Sequence, residues 1–341
     1  MKLIIQVPCL NEEEQLPTML SQLPREVPGF DVVEWLIIDD GSSDRTLEVA
    51  RANGVDHIVR LTHNKGLASA FQAGLDAGLK LGADVIVNTD ADNQYDSSAI
   101  PALVAPILDG SADMVIGDRD VASVAEFSRS KKVLQKLGTR VVQWASGTSV
   151  QDATSGFRAY NREAALQLVV VSKFTYTLES LIQAGKNLVA IDNVLVQRND
   201  ATRPSRLFKS TGAYVRRNSV SIFRVWSTYE PLKVFWATGC ALALLALLLW
   251  MPYLVSVFTG SGGAHLQSII LGSVFMIAAV QLFSLGVLAD LVASTRTVSQ
   301  RTLERVRRIE LTLGVPPSHY EKVVRPQPEA DEASATPLHR A

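Results

Sequence analysis

Cysteine is scarce in this sequence: two residues, Cys9 and Cys240, stand far apart among 341 positions. That excludes a disulfide framework and assigns the soluble part to a reducing compartment. Cys9, behind an apolar run, reads as a small buried side chain rather than a nucleophile. Five histidines are scattered, without the Cys/His spacing of a zinc site. Neither sign of charge predominates, with 33 Lys and Arg against 34 Asp and Glu. Bulk attraction to nucleic acid is thereby excluded as a partner class, and any anion site must be local. A secretory leader is also missing from the pattern. Met1–Ile5 runs straight into an apolar stretch that Pro8 and Asn11 soon interrupt, so the chain is expected to start in the cytosol.

Short apolar runs are plentiful in the first 120 residues: Leu3–Val7, Val33–Ile38, His57–Leu61, Asp84–Asn88 and Asp113–Gly117. Amphipathic segments separate them, at Glu12–Leu23, Asp44–Asn53, Leu67–Leu81 and Ser98–Leu108. Strands this apolar, alternating with helices, predict an α/β fold with a mostly parallel sheet covered on both faces. Ligands of such sheets bind beyond the carboxyl ends of the strands. Residues 121–200 are less regular, with a basic helix expected over Ser130–Ala145 and an apolar strand over Leu188–Val196.

Charge is absent from two long stretches, Val234–Val257 and Leu266–Ala289, of 24 residues each. As helices they would each span about 36 Å, enough to cross a bilayer core. The flanks are cationic: Arg203–Lys233 carries seven Lys and Arg against one acid, and Arg296–Arg308 five Arg against one. The positive-inside rule then predicts a hairpin with both flanks cytoplasmic. The aromatic and cationic pattern of Tyr214–Trp236 predicts an interfacial helix. The expected division is a cytoplasmic catalytic domain over 1–210, a juxtamembrane helix over 211–232, two transmembrane helices over 233–292, and a cytoplasmic tail over 293–341. The tail after Pro316, rich in Pro, Glu and Ala, is expected to be disordered.

The polar residues of the first domain sit where the apolar runs end. The first run ends in Pro8-Cys9-Leu10-Asn11-Glu12, the second in Asp39-Asp40-Gly41-Ser42-Ser43-Asp44, and the fourth in Asp90-Ala91-Asp92-Asn93-Gln94. Asp90 and Asp92, with Gln94 adding a third oxygen, suit Mg²⁺ or Mn²⁺ bridging to a diphosphate. A bare D-x-D is also a common solvated turn, and Ser43 or Asp44 also reads as a helix cap. Gly66 permits close backbone approach, and Lys65 beside it can meet an anion. Asp152-Ala153-Thr154-Ser155-Gly156-Phe157-Arg158 places an acid and a base around a glycine. Arg203-Pro204-Ser205-Arg206-Leu207-Phe208-Lys209 puts three cations in seven residues.

Taken in order and spacing, these motifs resemble family 2 glycosyltransferases of the GT-A fold, in the polyprenyl-phosphate (dolichol-phosphate-mannose-synthase-like) branch. The resemblance runs from about residue 3 to about residue 295. It implies that Pro8, Leu10, Glu12, Ile37 and Asp39 hold the nucleobase and ribose. Asp90, Ala91, Asp92 and Gln94 would hold metal and diphosphate. Arg119, in Gly117-Asp118-Arg119, matches the family's G-x-R arginine. Asp152 matches the acid of its D-x-x-x-G-F-R segment. Arg203 and Lys209 match the end cations of a loop that closes over the donor. The chain departs from the pattern at Leu10, where the family carries Tyr, and inside the R-P-S-R-L-F-K loop, where it carries R-x-x-G-E-S-K. The resemblance implies an inverting, metal-dependent hexosyltransferase that uses a UDP- or GDP-sugar donor and a polyprenyl (undecaprenyl-type) phosphate acceptor. Catalysis would fall to Asp152, Asp92 and Arg119. Lys131 and Lys132 are candidates for the acceptor phosphate, although a solvated helix face explains them as well. The membrane helices allow a homo-oligomer. Transfer to another membrane lipid or glycan, and a catalytically silent nucleotide-sugar-binding scaffold, are the alternatives.

Overall fold

The five apolar runs form five strands pointing the same way. They are β1 (Lys2–Cys9), β2 (Val32–Asp39), β3 (His57–Arg60), β4 (Val85–Asn88) and β5 (Met114–Asp118). The computed structural model describes residues 1–119, 139–140, 142–144, 146–170, 176–197, 199, 227, 230–260 and 265–323. Lys131, Lys132, Arg203, Lys209 and nearly all of the expected interfacial helix lie outside the described residues.

Between the first strands run α1 (Leu16–Gln22), α2 (Thr46–Ala52), α3 (Leu67–Lys80) and α4 (Ile100–Leu108). Further along come β6 (Arg158–Asn161), α5 (Arg162–Gln167), α6 (Tyr176–Lys186) and β7 (Ile191–Leu195). With β8 (Tyr320–Lys322) the sheet has, among the described residues, eight strands in the order β7-β5-β6-β4-β1-β2-β3-β8. Alternate residues of β1 enter opposite cores. Leu3, Ile5 and Val7 pack with Leu16, Met19 and Leu103, while Ile4 packs with Phe71, Leu75 and Leu181. Both faces of the sheet are thus covered, which is why its strands read as unbroken apolar runs.

Two strands run against the rest. β6 is antiparallel to both β4 and β5, and β8 is antiparallel to β3. The position of β6 matters for the site. An antiparallel strand begins where its parallel neighbours end, so Arg158 pairs with Asn88, the last residue of β4. The Asp152–Phe157 turn is thereby carried to the edge where β1, β2 and β4 finish.

The two uncharged stretches form α7 (Pro231–Phe258) and α8 (Leu266–Thr312), both long and apolar enough to cross a membrane. They pack on each other through small residues. A methyl group on Gly272 would lie 2.4 Å from Trp250 Cδ1, and one on Gly239 would lie 2.7 Å from Phe283 Cε1. Close approach of this kind, rather than burial from water, holds helices together in lipid.

The segment expected as a tail is more ordered than its composition suggests. α8 continues past the apolar stretch, and its cationic end docks on the sheet's helices. Arg296 pairs with Glu179 at 3.0 Å, and Glu310 with Lys80 at 3.1 Å. Arg307 donates to the Leu166 and Leu168 carbonyls at 3.1 and 2.8 Å. The expectation of disorder after Pro316 is corrected over Tyr320–Lys322, which pairs with the outer edge of β3. Tyr320 reaches His57 Nδ1 at 2.9 Å, and Arg51 grips both carboxylate oxygens of Glu321 at 3.0 and 2.8 Å. The physical reason is an otherwise bare row of β3 backbone groups, which a short strand satisfies.

Candidate active site

The sheet changes direction of travel at β1: β2 and β3 lie on one side of it and β4 on the other. A crevice opens at such a switch point, beyond the carboxyl ends of the strands. The β1–β4 pairing ends at Gln6 with Asn88. Pro8 comes after that last pair, where its missing N–H breaks no ladder towards β4.

The turns after β1 and β2 are bound into one unit. Asn11, at φ 54°, receives the Ser43 N–H on its side-chain oxygen at 2.8 Å, while its own N–H donates to Ser42 Oγ at 3.0 Å. The Asp44 carboxylate accepts from the Thr46 N–H at 3.0 Å and the Glu13 N–H at 3.2 Å, so it satisfies the first N–H of α2 and ties the two turns. Gly41 is held at φ 78°, and a methyl there would meet the His63 backbone at 2.6 Å. No L side chain fits both demands. Asp40 accepts the N–H groups of Lys65 and Gly66 at 2.7 and 2.9 Å. Asp40 thus takes the two backbone donors just ahead of α3.

Asp39 is fully buried, and its Oδ1 accepts from the Ser42 N–H at 3.0 Å. Among the described residues its Oδ2 has no hydrogen-bond partner, and the Arg60 Nε stands 3.9 Å away. An unsatisfied buried carboxylate oxygen costs about 1–3 kcal/mol or more, and a ligand hydroxyl would relieve that cost. Glu12 is also buried, with its N–H on Thr46 Oγ1 at 2.9 Å. Ile37 has no exposed surface and packs in the core beneath this edge, so it presents nothing to a base here. Cys9 is buried beside Glu12, Asp39 and Asp44. Burial first, and those charges next, push its thiol well above the ordinary range, which makes it a poor nucleophile.

Beyond β4, Asp90 and Asp92 flank the buried Ala91. Burial raises the Asp90 carboxyl to about 7, the Asp92 charge adds to the rise, and Arg119 and Arg158 oppose it. Gln94 donates to Asp92 through both its backbone N–H and its side-chain amide. It thereby helps to order Asp92. Asn199 fastens the same turn, donating to the Asn93 and Tyr95 carbonyls at 3.1 and 3.2 Å. Gly156 passes against Asp90, where a methyl would lie 2.9 Å from Asp90 Oδ2.

Arg119 leaves β5 and meets the turn before β6. Its Nε and Nη2 donate to the two Asp152 oxygens at 2.6 and 3.1 Å, and Nη2 also donates to Thr154 Oγ1 at 2.9 Å. The guanidinium lies 5.8 Å from the Tyr95 ring centre. Burial pushes the Asp152 carboxyl up, but the Arg119 charge and hydrogen bonds, with help from Thr154, hold it below the ordinary range. Asp152 is thus an ionised carboxylate with both oxygens engaged. Arg158 is fully buried, with donors on the Ser155, Ala153 and Thr177 carbonyls at 2.8, 3.0 and 2.9 Å and on Ser180 Oγ at 2.9 Å. It locks the turn that carries Asp152.

A family model for glycosyl transferase family 2 matches residues 4–168. The undecaprenyl-phosphate mannosyltransferase of Micrococcus luteus is 30% identical over 211 residues, covering 58% of this chain and 85% of that protein. This chain belongs to glycosyl transferase family 2. The polyprenol monophosphomannose synthase of Mycolicibacterium smegmatis is 32% identical over 168 residues, covering 47% of this chain and 62% of its own length. The fold matches glucosyl-3-phosphoglycerate synthase of Mycobacterium tuberculosis, solved with Mn²⁺, UDP-glucose and phosphoglyceric acid. The TM-score is 0.53 at 22% identity, over 66% of this chain and 80% of that one.

In this family 2 glycosyltransferase, the sequence motifs at three strand ends and the Asp152 turn converge on one edge of the sheet. Leu10 stands half-buried at that edge. Four contributors carried no motif signal: the buried Tyr95, Tyr176 and Asn88, and the half-buried Asn199. The first two are aromatic residues in helical or turn context, which in a linear sequence look like core. Among the described residues no three His, Cys, Asp or Glu side chains gather as a metal cage. Two like-charged carboxylates in a partly buried setting nevertheless form an all-oxygen donor pair for a hard cation that keeps water and phosphate as its other ligands.

Proposed function

We propose that this family 2 glycosyltransferase moves a hexose, mannose by analogy with its relatives' named activities, from a UDP- or GDP-sugar to a polyprenyl phosphate. The observation that carries the reading is the acidic edge at the β1–β4 switch point in a chain that also has two apolar helices long enough to span a bilayer. The relatives from Micrococcus luteus and Mycolicibacterium smegmatis, named for polyprenyl-phosphate and polyprenol substrates, support the acceptor. The nucleotide would lie on Pro8, Leu10, Glu12 and Asp39, with a ribose hydroxyl donating to the orphaned Asp39 Oδ2. Asp90 and Asp92 would hold Mg²⁺ or Mn²⁺, which neutralises charge on a departing nucleoside diphosphate.

An acceptor phosphate oxygen attacks the anomeric carbon from the face opposite the diphosphate. The new carbon–oxygen bond forms as the bond to the diphosphate breaks, and configuration inverts. A phosphate is largely ionised near neutral pH, so a strong base is not required. Asp152 accordingly acts by holding Arg119, whose charge faces donor and acceptor phosphates. Arg203 and Lys209 belong to this reading as cations closing over the donor. Lys131 and Lys132 belong to it as receivers of the acceptor phosphate. Cytoplasmic placement of the catalytic domain follows from the cationic flanks.

The test is transfer of radiolabelled sugar from a panel of UDP- and GDP-hexoses to undecaprenyl phosphate in detergent, with Mn²⁺, Mg²⁺ or EDTA. An acid-labile, metal-dependent lipid product is expected, and Asp92→Ala should abolish it while leaving membrane insertion intact. Wild-type turnover by Asp92→Ala with metal chelated would remove the metal role. Transfer to another lipid or glycan but not to polyprenyl phosphate would move the acceptor.

A further inference from the structure

A run of buried polar side chains lies beneath the acidic pair. Gln6 on β1 and Asn88 on β4 have no exposed surface and oppose each other in the sheet register. Central strands place apolar side chains at such positions, since a buried amide left unpaired is costly. Here the amides are linked. Gln6 Nε2 donates to Asn88 Oδ1 at 2.8 Å. Asn88 Nδ2 donates to the Gly156 carbonyl at 2.8 Å and to the Tyr176 hydroxyl at 3.1 Å. Tyr176 is 2% exposed, and its ring is stacked on Phe71 with centroids 4.2 Å apart.

The direction of these bonds follows from what each group can do. The Gly156 carbonyl only accepts, so the nitrogen of Asn88 must be the end facing it and Tyr176. The Tyr176 oxygen accepts that donor, which leaves its single proton for its other neighbour, the Asp90 carboxylate. The backbone geometry agrees independently. A methyl on Gly156 would fall 2.6 Å from Tyr176 Oη and 2.9 Å from Asp90 Oδ2, so the hydroxyl and the carboxylate border the same small space beside that glycine.

We propose that Tyr176 is a positioning residue for the cation and diphosphate site, its hydroxyl proton being aimed by Asn88 and Gln6 so that the Asp90 carboxylate is held in one orientation. The inference rests on the proposed reading of Asp90 and Asp92 as a divalent-cation site. A carboxylate free to rotate must surrender that freedom when it binds metal, whereas one already held does not. Partners of this outer kind alter metal affinity by about 10–100-fold. Tyr176→Phe removes the hydroxyl alone, leaving the ring stack on Phe71 and the Asn88–Gly156 bond.

The test uses full-length wild type and Tyr176→Phe in detergent. Free Mn²⁺ is measured by electron paramagnetic resonance in the presence of UDP or GDP, whichever the wild type binds. Nucleotide affinity in EDTA and thermal melting are measured alongside. The expected result is a Mn²⁺ Kd about 10-fold weaker for Tyr176→Phe, with metal-free nucleotide affinity within twofold and turnover largely restored at saturating Mn²⁺. A purely structural role would lower the melting temperature and leave the Mn²⁺ Kd unchanged. Tyr176→Phe binding Mn²⁺ within twofold of wild type would overturn the inference and leave the cation site standing. Absence of Mn²⁺ binding by the wild type would overturn both.

Discussion

Asp152→Asn separates a carboxylate kept for its charge from one kept to move a proton. The substitution preserves shape and removes one negative charge from a residue 3% exposed. The side chain it replaces accepts two Arg119 bonds, at 2.6 and 3.1 Å, and the Thr154 N–H and hydroxyl at 3.1 and 2.9 Å. Removing one member of a buried pair costs about 3–5 kcal/mol, because the other charge is left uncompensated. Arg119 keeps 18% side-chain exposure and retains Thr154 and the Tyr95 ring nearby, so the lower end, about 3 kcal/mol, is expected. For a domain of this size that corresponds to a fall of about 6–12 °C in Tm.

The assay is cooperative melting of the full-length protein in detergent, followed by circular dichroism. Because Asp152 has a depressed folded pKa, its stabilisation is complete above the unfolded value of about 4 and is lost as pH falls through the folded one. The gap between wild type and Asp152→Asn should therefore be full at pH 7 and shrink below about pH 4. A gap under 2 °C at pH 7, or an equal gap at both pH values, would refute the charge argument (about 2 °C being the smallest shift per kcal/mol in this size range). Activity supplies the second readout. If Asp152 holds Arg119 rather than taking a proton, the loss in turnover is uniform from pH 6 to pH 9. A loss that shrinks at high pH would instead mark a proton acceptor.

Gly156→Ala should cut transfer by about 100-fold, the order expected for a displacement near 1 Å at a reacting site. Its overpacking cost should stay near 1–3 kcal/mol. Sugar transfer and melting measured together check it, and wild-type turnover would mean that Asp90 tolerates the shift. Truncation after Pro316 removes β8, with its ladder to β3 and the Arg51–Glu321 pair. A lower Tm and concentration-dependent association through the bared β3 edge are expected, and light scattering with melting would show either. Unchanged values would mean that β8 adds nothing to the sheet.

The sequence by itself determined the strands, their burial on both faces and the edge that carries the chemistry. These follow from hydrophobic periodicity and from polar residues clustered where the apolar runs stop, both of which are local signals. The two apolar helices were equally legible, because bilayer thickness turns membrane crossing into a count of uncharged residues. Other features depended on which segments meet. That Asp152 lies against Arg119 required β6 to enter the sheet antiparallel, and nothing in Arg158–Asn161 announces its direction. That Asp40 fills the donors beside Lys65 depends on the β2 turn touching the start of α3. The fate of Tyr320–Lys322 was hidden because a short polar strand becomes one only when another strand offers it bare backbone. Tyr176 and Asn88 look like ordinary core and strand residues until the fold brings Asp90 beside the tyrosine hydroxyl. Periodicity reports which face of an element is buried, whereas the partner a buried polar atom finds is a property of the assembled chain.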